Sequence, residues 1–381
     1  MYLVYRKKAP SKGVTIRDVA SAAGISTATV SNAFNRPDQL SSRLQRRIFK
    51  VAKELGYTGP NPSARNFRLK RSGTIGVMFD ARLRFAFADS AACLFLQGVA
   101  QATEEEGLGL TLLPYSTDSG ERTIREALVD GFIVYAGASD DPRIDAVIAR
   151  HLPMVFVDHS RDWGLPEISI DHRQGAYIAA RHLLELRHRR IFVITFKLNS
   201  YAVNGFVSVS DQNRATFFPS RERLRGYQDA VIAHGLDWEK SVQVYQTVHT
   251  DFDGGRMAVR AMEAEGFFYT AILAASDNLA LGALHELRSM GWRVPQDVSV
   301  VGFDDIPEAQ ITHPALTTVR QEHKLKGLLA GRKLISLILK KPGSDETLLP
   351  KPHLILRESS TLAPPRKSHS RRGSSRFPSG S

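Results

Sequence analysis

The stretch Val14-Thr-Ile-Arg-Asp-Val-Ala-Ser-Ala-Ala-Gly-Ile-Ser-Thr-Ala-Thr-Val-Ser-Asn-Ala-Phe34 spells two short helices around a tight turn. Thr15 is placed to cap the first helix, and Asp18 three residues on completes a capping-box pattern and sets a carboxylate in the first turn. Gly24 supplies the backbone freedom of a sharp turn, Ile25 plugs the angle between the helices, and Ser26 caps a second helix spanning about 27–34. This is the chemistry of a helix-turn-helix. A third helix starts at Ser41 or Ser42 and ends at Leu55, with Leu44, Ile48, Val51, Ala52 and Leu55 at helical spacing, and Gly56 stops it.

On the second helix Val30, Ala33 and Phe34 share the inward face, which leaves Thr27, Ala28, Ser31 and Asn32 outward. Short side chains there permit close approach to base edges. Asn can make a bidentate contact with adenine, and the methyls of Thr and Ala can pack on the thymine methyl. Any small helix has an exposed polar face, so the surrounding charge decides the reading: Arg36, Arg43, Arg46, Arg47, Lys50 and Lys53 all lie nearby in sequence. Residues 1–72 hold 15 Lys+Arg against 3 Asp+Glu, residues 73–361 hold 31 against 36, and residues 362–381 hold 5 against none. A basic head and tail on a mildly acidic body describe a polyanion-binding module joined to something that does other work. A single cysteine, Cys93, excludes a disulfide scaffold. No apolar run has signal-peptide or membrane-spanning length, so the expected compartment is the cytoplasm, with nucleoid association when DNA is bound.

Val14-Thr-Ile-Arg-Asp-Val-Ala, Gly24-Ile-Ser, Thr29-Val-Ser and Asn35 resemble, almost position for position, the DNA-binding head of the lactose/galactose repressor (LacI/GalR) family. The resemblance implies that the residues matching Thr27, Ala28 and Asn32 read bases, the face that helix geometry also selects. Thr15, Ser26, Thr29, Ser31 and Asn35 complete the expected DNA-binding set of the head. The linker that follows, Tyr57-Thr-Gly-Pro-Asn-Pro-Ser-Ala-Arg-Asn-Phe-Arg-Leu-Lys-Arg-Ser-Gly73, contains a helix of under two turns at 63–69, capped by Asn61 and opened by Pro62. So short a helix needs a partner to fold. It resembles the family's hinge helix, which folds in the minor groove and wedges a leucine into a central base step. The matching residue is Phe67, between Ala64 and Arg68, and an aromatic can also intercalate and kink DNA. An ordinary flexible linker is the alternative. The expected organisation is a helix-turn-helix domain at 1–59, a hinge at 60–72, an effector-binding and dimerisation body at 73–361, and a disordered basic tail at 362–381.

From Thr74 short apolar runs alternate with amphipathic stretches. Strands are expected at 74–79, 110–114, 131–135, 154–157, 191–195, 271–274 and 298–302, and helices near 88–106, 141–150, 171–185, 221–234, 254–265 and 277–290. Such alternation means an α/β body of parallel, doubly wound sheets, large enough for two lobes, with ligands outside the carboxyl ends of the strands. No glycine-rich phosphate loop follows a strand, and the two glycines around Leu108 lie between a helix and a strand, the wrong context for a dinucleotide fingerprint. The histidines lack metal spacing, with His182 and His188 read as basic or capping positions, and Cys93 reads as a small buried side chain. Neither catalysis nor a cofactor nor a metal is expected. A sugar-binding protein or enzyme of the same body fold is the alternative from another class.

The body also carries the resemblance. Thr74-Ile-Gly-Val, Val155-Phe-Val-Asp, Ile170-Asp-His-Arg-Gln-Gly-Ala, Arg223-Leu-Arg-Gly-Tyr, Ala275-Ser-Asp-Asn, Val298-Ser-Val-Val-Gly-Phe-Asp-Asp-Ile and Leu316-Thr-Thr-Val-Arg-Gln occur in the order of the family's periplasmic-binding-protein-like sensor. The resemblance implies three crossings between lobes, near 170, 250–300 and 318, and a small-molecule effector between them. Asp158, Arg223, Ser276 and Asp304 are the effector positions carried over. A carboxylate that accepts two hydroxyl hydrogen bonds, a planar Arg fork and an aromatic such as Phe303 or Phe252 over an apolar sugar face suit a carbohydrate or related polyol. Asp304 can instead cap the turn it shares with Asp305, and Arg223 and Asp158 can instead form an interlobe salt bridge. The segment 197–220 reads as a long loop without family match, whose Tyr201, Phe206 and Asn213 could rim the cleft. One recognition helix reads one half-site, so a homodimer on a pseudo-palindromic operator is expected, without a membrane partner. The helix carrying Leu94, Phe95, Leu96 and Val99 either walls that dimer or fills its own lobe. The whole reads as a DNA-binding repressor controlled by a sugar-like effector.

Overall fold

The computed structural model describes residues 14–59, 71–80, 82–113, 120–136, 138, 141–159, 164–341 and 349–365. The chain divides into two compact units, one up to Gly73 and one from Thr74. In the first, helices α1 (Ile16–Ala23), α2 (Thr27–Asn35) and α3 (Ser42–Leu55) enclose Val19, Ala20, Val30, Ala33, Ile48 and Ala52. The capping box forms: the Asp18 carboxylate accepts the Thr15 backbone N–H at 2.8 Å. Gly24 takes φ 62°, and the Ser26 hydroxyl then accepts the Thr29 N–H at 3.1 Å to open α2. Leu55, expected on the inward stripe, is half-exposed; Tyr57, beyond the stop at Gly56, packs edge-on against Phe34 instead.

The second unit holds two lobes. A fully parallel sheet ordered β2-β1-β3-β4-β5 is built from β1 (Thr74–Phe79), β2 (Gly109–Leu113), β3 (Phe132–Tyr135), β4 (Met154–Val157) and β5 (Glu167–Ile168), with α4 (Leu83–Ala88), α5 (Ser90–Glu105), α6 (Gly120–Glu126) and α7 (Pro142–Ile148) between strands. The other sheet, ordered β12-β11-β10-β9-β6-β8-β7, comprises β6 (Ile191–Phe196), β7 (Gly205–Phe206), β8 (Val242–Thr247), β9 (Ala271–Ala274), β10 (Ser299–Asp304), β11 (Thr317–Arg320) and β12 (His353–Ile355). Its inner pairs are parallel; the edges β7 and β12 run antiparallel. Helices α8 (His172–Glu185), α9 (Val209–Asn213), α10 (Phe218–Ala233), α11 (Trp238–Ser241), α12 (Phe252–Glu265), α13 (Asp277–Ser289) and α14 (Glu308–Ile311) belong to this lobe. Helix α15 (His323–Leu339) returns to pack on α5 and the first sheet. Every residue of β6 and β10 is buried, as central strands covered on both faces require.

Several expectations change. The lobe crossings fall at 169–171, at 321–322 and between Leu339 and His353, whereas 250–300 stays in the second lobe because β8, β9 and β10 share one sheet. The segment 197–220 is folded: it contributes β7, α9 and the start of α10, tied back by the Thr216 and Phe217 N–H groups on the Leu198 carbonyl. His182 and His188 strap the C-terminal segment, His182 Nε2 lying 2.9 Å from Ser360 Oγ and the fully buried His188 3.0 Å from the Thr361 carbonyl. Cys93 is partly exposed, its sulfur 3.4 Å from the Phe87 carbonyl. Phe95 and Val99 are fully buried against α15, so that side of α5 fills its own lobe. Among the described residues no helix is long and apolar enough to cross a membrane, and no group of His, Cys, Asp or Glu could hold a metal ion.

Helix pairs cross here at backbone contact. A Cβ at Gly98 or Gly327 would lie 1.9 Å from the Lys324 carbonyl oxygen or 2.0 Å from that of Phe95, and one at Gly255 or Gly282 would meet the backbone of the facing helix equally closely, in the α5–α15 and α12–α13 pairs respectively. Backbone cannot yield as a flexible side chain does. Gly327→Ala is therefore expected to destabilise the body by about 2 kcal/mol or more. A urea midpoint within error of the wild type would contradict this account of the α5–α15 contact.

Candidate functional site

In the head, Thr27 and Ala28 are exposed and Ser31 and Asn32 partly so, while Val30 and Ala33 are buried on the opposite side of α2. Several of the sequence-selected residues also serve the helix itself. The Ser26 and Thr29 hydroxyls lie 2.8 Å apart at its start, and the Asn35 amide donates to the Ser31 carbonyl at 2.9 Å near its end. Thr15 belongs to the capping box, and Arg47, one of the charges expected around the face, donates to the Ala23 carbonyl at 2.9 Å. That leaves Thr27, Ala28 and Asn32 as the outward side chains without such a duty. Ala64, Phe67 and Arg68 lie outside the described residues.

In the body a cavity of about 460 Å³ opens between the lobes at the carboxyl ends of β1, β3, β4, β6 and β10. Asp158, Arg223, Ser276 and Asp304 all line it, brought together from β4, α10, α13 and β10. Backbone strain marks the same rim: Ala136, Asp158, Asp304 and Asp305, none a glycine, take φ of 51°, 52°, 129° and 59°. Beneath the cavity a closed ring of polar side chains joins the lobes. Asp158 Oδ2 receives the Lys326 ammonium at 2.5 Å; Lys326 also donates to Gln321 Oε1 at 2.8 Å; and the Gln321 amide donates to Asp304 Oδ1. Arg223 stands 3.8 Å from Asp304 and donates Nε–H to His172 Nδ1 at 3.4 Å, while His172 Nε2 lies 2.9 Å from Asp158 Oδ1. Burial alone would raise Asp158, but the Lys326 ammonium and His172 outweigh it and hold the carboxyl well below the usual range. Burial pushes His172 down to about 4, so it is neutral at pH 7 and accepts from Arg223.

The two alternative roles resolve geometrically. Arg223 pairs with Asp304 and donates to the Ala275 carbonyl, whereas the cation on Asp158 is Lys326. Asp304 does not cap its turn: Asp277 accepts the Ile306 N–H at 3.0 Å, and Asp305 is held by Arg320 and Arg357 at 2.6 and 2.5 Å. The aromatic assignments are corrected. Phe303 is buried below Arg223, 3.8 Å from its guanidinium, because side chains alternate along β10 and the residue before Asp304 must face away from the cleft. Phe252 is 42% exposed on α12 against His285, outside the cavity, whose lining includes the aromatics Phe79, Phe85, Tyr135, Phe196 and Phe217. Of the three suggested rim residues, Tyr201, Phe206 and Asn213, none lines the cavity; Asn199 and Ser200 do.

Sequence reasoning missed Asp80, Asp89, Lys197, Gln321, His323 and Lys326. Asp80, Lys197 and Gln321 directly follow β1, β6 and β11, a position that α/β architecture marks as cleft-facing. Lys326 had no comparable signal. Lys197 and Asp80 make an interlobe ion pair at 2.6 Å, Ser90 donates to Glu308 at 2.7 Å, and Phe85 stacks on His249 with centroids 4.4 Å apart. Removing the buried ammonium by Lys326→Met is expected to cost about 3–5 kcal/mol, because it strands the Asp158 charge. Adding Asp158→Asn should recover part of that loss in a urea-unfolding double-mutant cycle; strict additivity would break the assignment.

Residues 15–61 match the model for bacterial regulatory proteins of the lacI family, and residues 180–360 that for the periplasmic binding protein-like domain. An HTH-type transcriptional regulator of Mycolicibacterium smegmatis is 39% identical over 339 residues, covering 86% of this chain and 92% of the relative. Among solved structures, the complex of the transcriptional regulator CelR with cellobiose has a TM-score of 0.63 at 30% identity, covering 91% of this chain and 100% of that one. The lac repressor dimer bound to operator and the anti-inducer ONPF has a TM-score of 0.73 at 26% identity, covering 92% and 100%. With a helix-turn-helix head, a two-lobed body and relatives that are regulators rather than enzymes, the chain belongs to the lacI family of bacterial regulatory proteins and is a DNA-binding transcriptional regulator.

Proposed function

We propose that this regulator is a repressor that binds a pseudo-palindromic operator as a homodimer and is switched by a sugar or related polyol in the cleft between its lobes. The observation that carries this reading is the cavity itself, with Asp158, Arg223, Ser276 and Asp304 converging on it from four elements at the carboxyl ends of the strands. CelR bound to cellobiose and the lac repressor bound to operator, both of this architecture, support the ligand class and the DNA partner. On the DNA side Thr27, Ala28 and Asn32 read base edges, the remaining head residues position the helix, and Phe67, with Ala64 and Arg68, forms the minor-groove contact. The dimer follows from a single recognition helix per chain, and the site of action is the nucleoid in the cytoplasm.

The test begins with selection of bound sequences from a random DNA pool, followed by titration of the enriched site by fluorescence anisotropy. Asn32→Ala should cost about 1–3 kcal/mol at one position of each half-site and relax preference there. Equal weakening on every sequence would reject Asn32 as a reader. Asp304→Asn should abolish the response to effector while the protein still recognises the selected site, because the head is a compact unit with its own core. A variant that answers effector like the wild type would remove Asp304 from the site.

A further inference from the structure

Four carboxylates line the cavity, Asp80, Asp89, Asp158 and Asp304. Three have cations of their own: Lys197 at 2.6 Å from Asp80, Lys326 at 2.5 Å from Asp158, and Arg223 at 3.8 Å from Asp304. Asp89 has no cationic partner among the described residues. Its Oδ1 accepts the Ala91 N–H at 2.9 Å, which starts α5, and the Asn278 amide of the other lobe at 3.2 Å. Burial, reinforced by Asp304 across the cleft, raises its carboxyl to about 7. Two carboxylates from opposite lobes thus face one space: Arg223 stands beside Asp304, and Asp89 has no cation of its own among the described residues.

The Arg223, Gln321 and Lys326 groups below that space are already engaged. Arg223 gives protons to the Ala275 carbonyl and His172, the Gln321 amide gives one to Asp304, and Lys326 gives its own to Asp158 and Gln321. His323 points independently to a ligand. It lines the cavity, is 5% exposed, and its Nδ1 has no hydrogen-bond partner among the described residues, while Nε2 faces Asp304 Oδ1 at 3.4 Å. Burial lowers it, so at neutral pH it offers one N–H and one lone pair but no charge. An anionic group entering here would meet Asp89, a carboxylate without a cation among the described residues, beside Asp304, whose Arg223 is already engaged. A ligand that brings hydroxyl protons offers both carboxylates hydrogen bonds and adds no negative charge beside them, with its C–H faces against Phe79, Phe85, Phe196 and Phe217. Arg82 and Arg84, which have no ion pair among the described residues, are exposed at the mouth, where water screens them.

We infer that Asp89 and His323 determine specificity in the proposed effector cleft, selecting a neutral polyhydroxylated ligand that donates hydroxyl protons to Asp89 of one lobe and Asp304 of the other, against phosphorylated or carboxylate-bearing analogues. The inference rests on the effector reading above and narrows it. Asn is itself a good helix N-cap, so Asp89→Asn removes the acceptor charge while keeping the start of α5.

The experiment is isothermal calorimetry on the full chain with matched probe sets: glucose with glucose 6-phosphate and gluconate, ribose with ribose 5-phosphate and ribonate, and linear and cyclic hexitols with their monophosphates. The wild type should bind a neutral member, with its phosphate and acid weaker by roughly tenfold or more. Asp89→Asn should weaken the neutral ligand by roughly tenfold and narrow its lead over the charged partners. His323→Gln, which keeps a neutral donor and acceptor, should retain the preference for neutral ligands where His323→Leu narrows it, and this pair carries the comparison if circular dichroism shows Asp89→Asn unfolded. A charged member binding as tightly as its neutral partner overturns the inference and leaves the effector reading standing. No heat from any probe overturns the sugar or polyol reading and the inference with it. A neutral ligand held equally by the wild type and folded Asp89→Asn removes Asp89 from the role.

Discussion

The Asp158–Lys326 ion pair anchors the body's polar ring at the place where the chain passes between lobes. Lys326 is fully buried on α15, and Asp158 ends β4 in a left-handed conformation. Both groups lose their water, so neither is tolerable without the other. Their remaining hydrogen-bonding capacity goes outward, through Gln321 to Asp304 and through His172 to Arg223, and the ring closes between Arg223 and Asp304. Three of its members, His172, Gln321 and Lys326, lie in a crossover, just beyond one, or on the helix that follows one. The connections between lobes are thereby tied to the floor of the cleft.

The strained residues make sense against that ring. Ala136, Asp158, Asp304 and Asp305 occupy backbone conformations that cost energy for a residue with a Cβ; the first three line the cavity at or just past the ends of β3, β4 and β10, and Asp305 follows them. Such conformations persist where the surroundings over-determine them. Asp277, Arg320, Arg357 and Gln321 do this for the turn at Asp304, which points one carboxylate into the cavity and locks its neighbour into ion pairs. The result is a cavity wall that is rigid and rich in acceptors, the condition under which a small number of hydroxyl hydrogen bonds discriminates between ligands.

Much of the head was legible in its residues. Caps, the αL glycine and the apolar stripe act over three or four positions, and Thr15, Asp18, Gly24 and Ser26 do what their spacing indicates. The strand and helix series of the body was legible for the same reason, because burial on both faces leaves continuous apolar runs in β1, β4 and β9. β8 was hidden by Gln243, Gln246 and Thr247, polar residues in a largely buried strand, and α15 by the lysines within it. The second crossing was misplaced because strand order in a sheet is not written in strand sequence.

The sequence by itself determined the local elements, the charge division between head and body, and the family to which both belong. Tertiary structure alone decided the partners: Lys326 for Asp158 at a separation of 168 residues, Asn278 for Asp89 at 189, and Phe303 turned under Arg223 rather than over a ligand. Capping and periodicity are settled by neighbours a turn away and so leave a pattern in the chain. A buried charge takes whichever opposite charge the topology delivers to it, and the residues between the two carry no record of that choice.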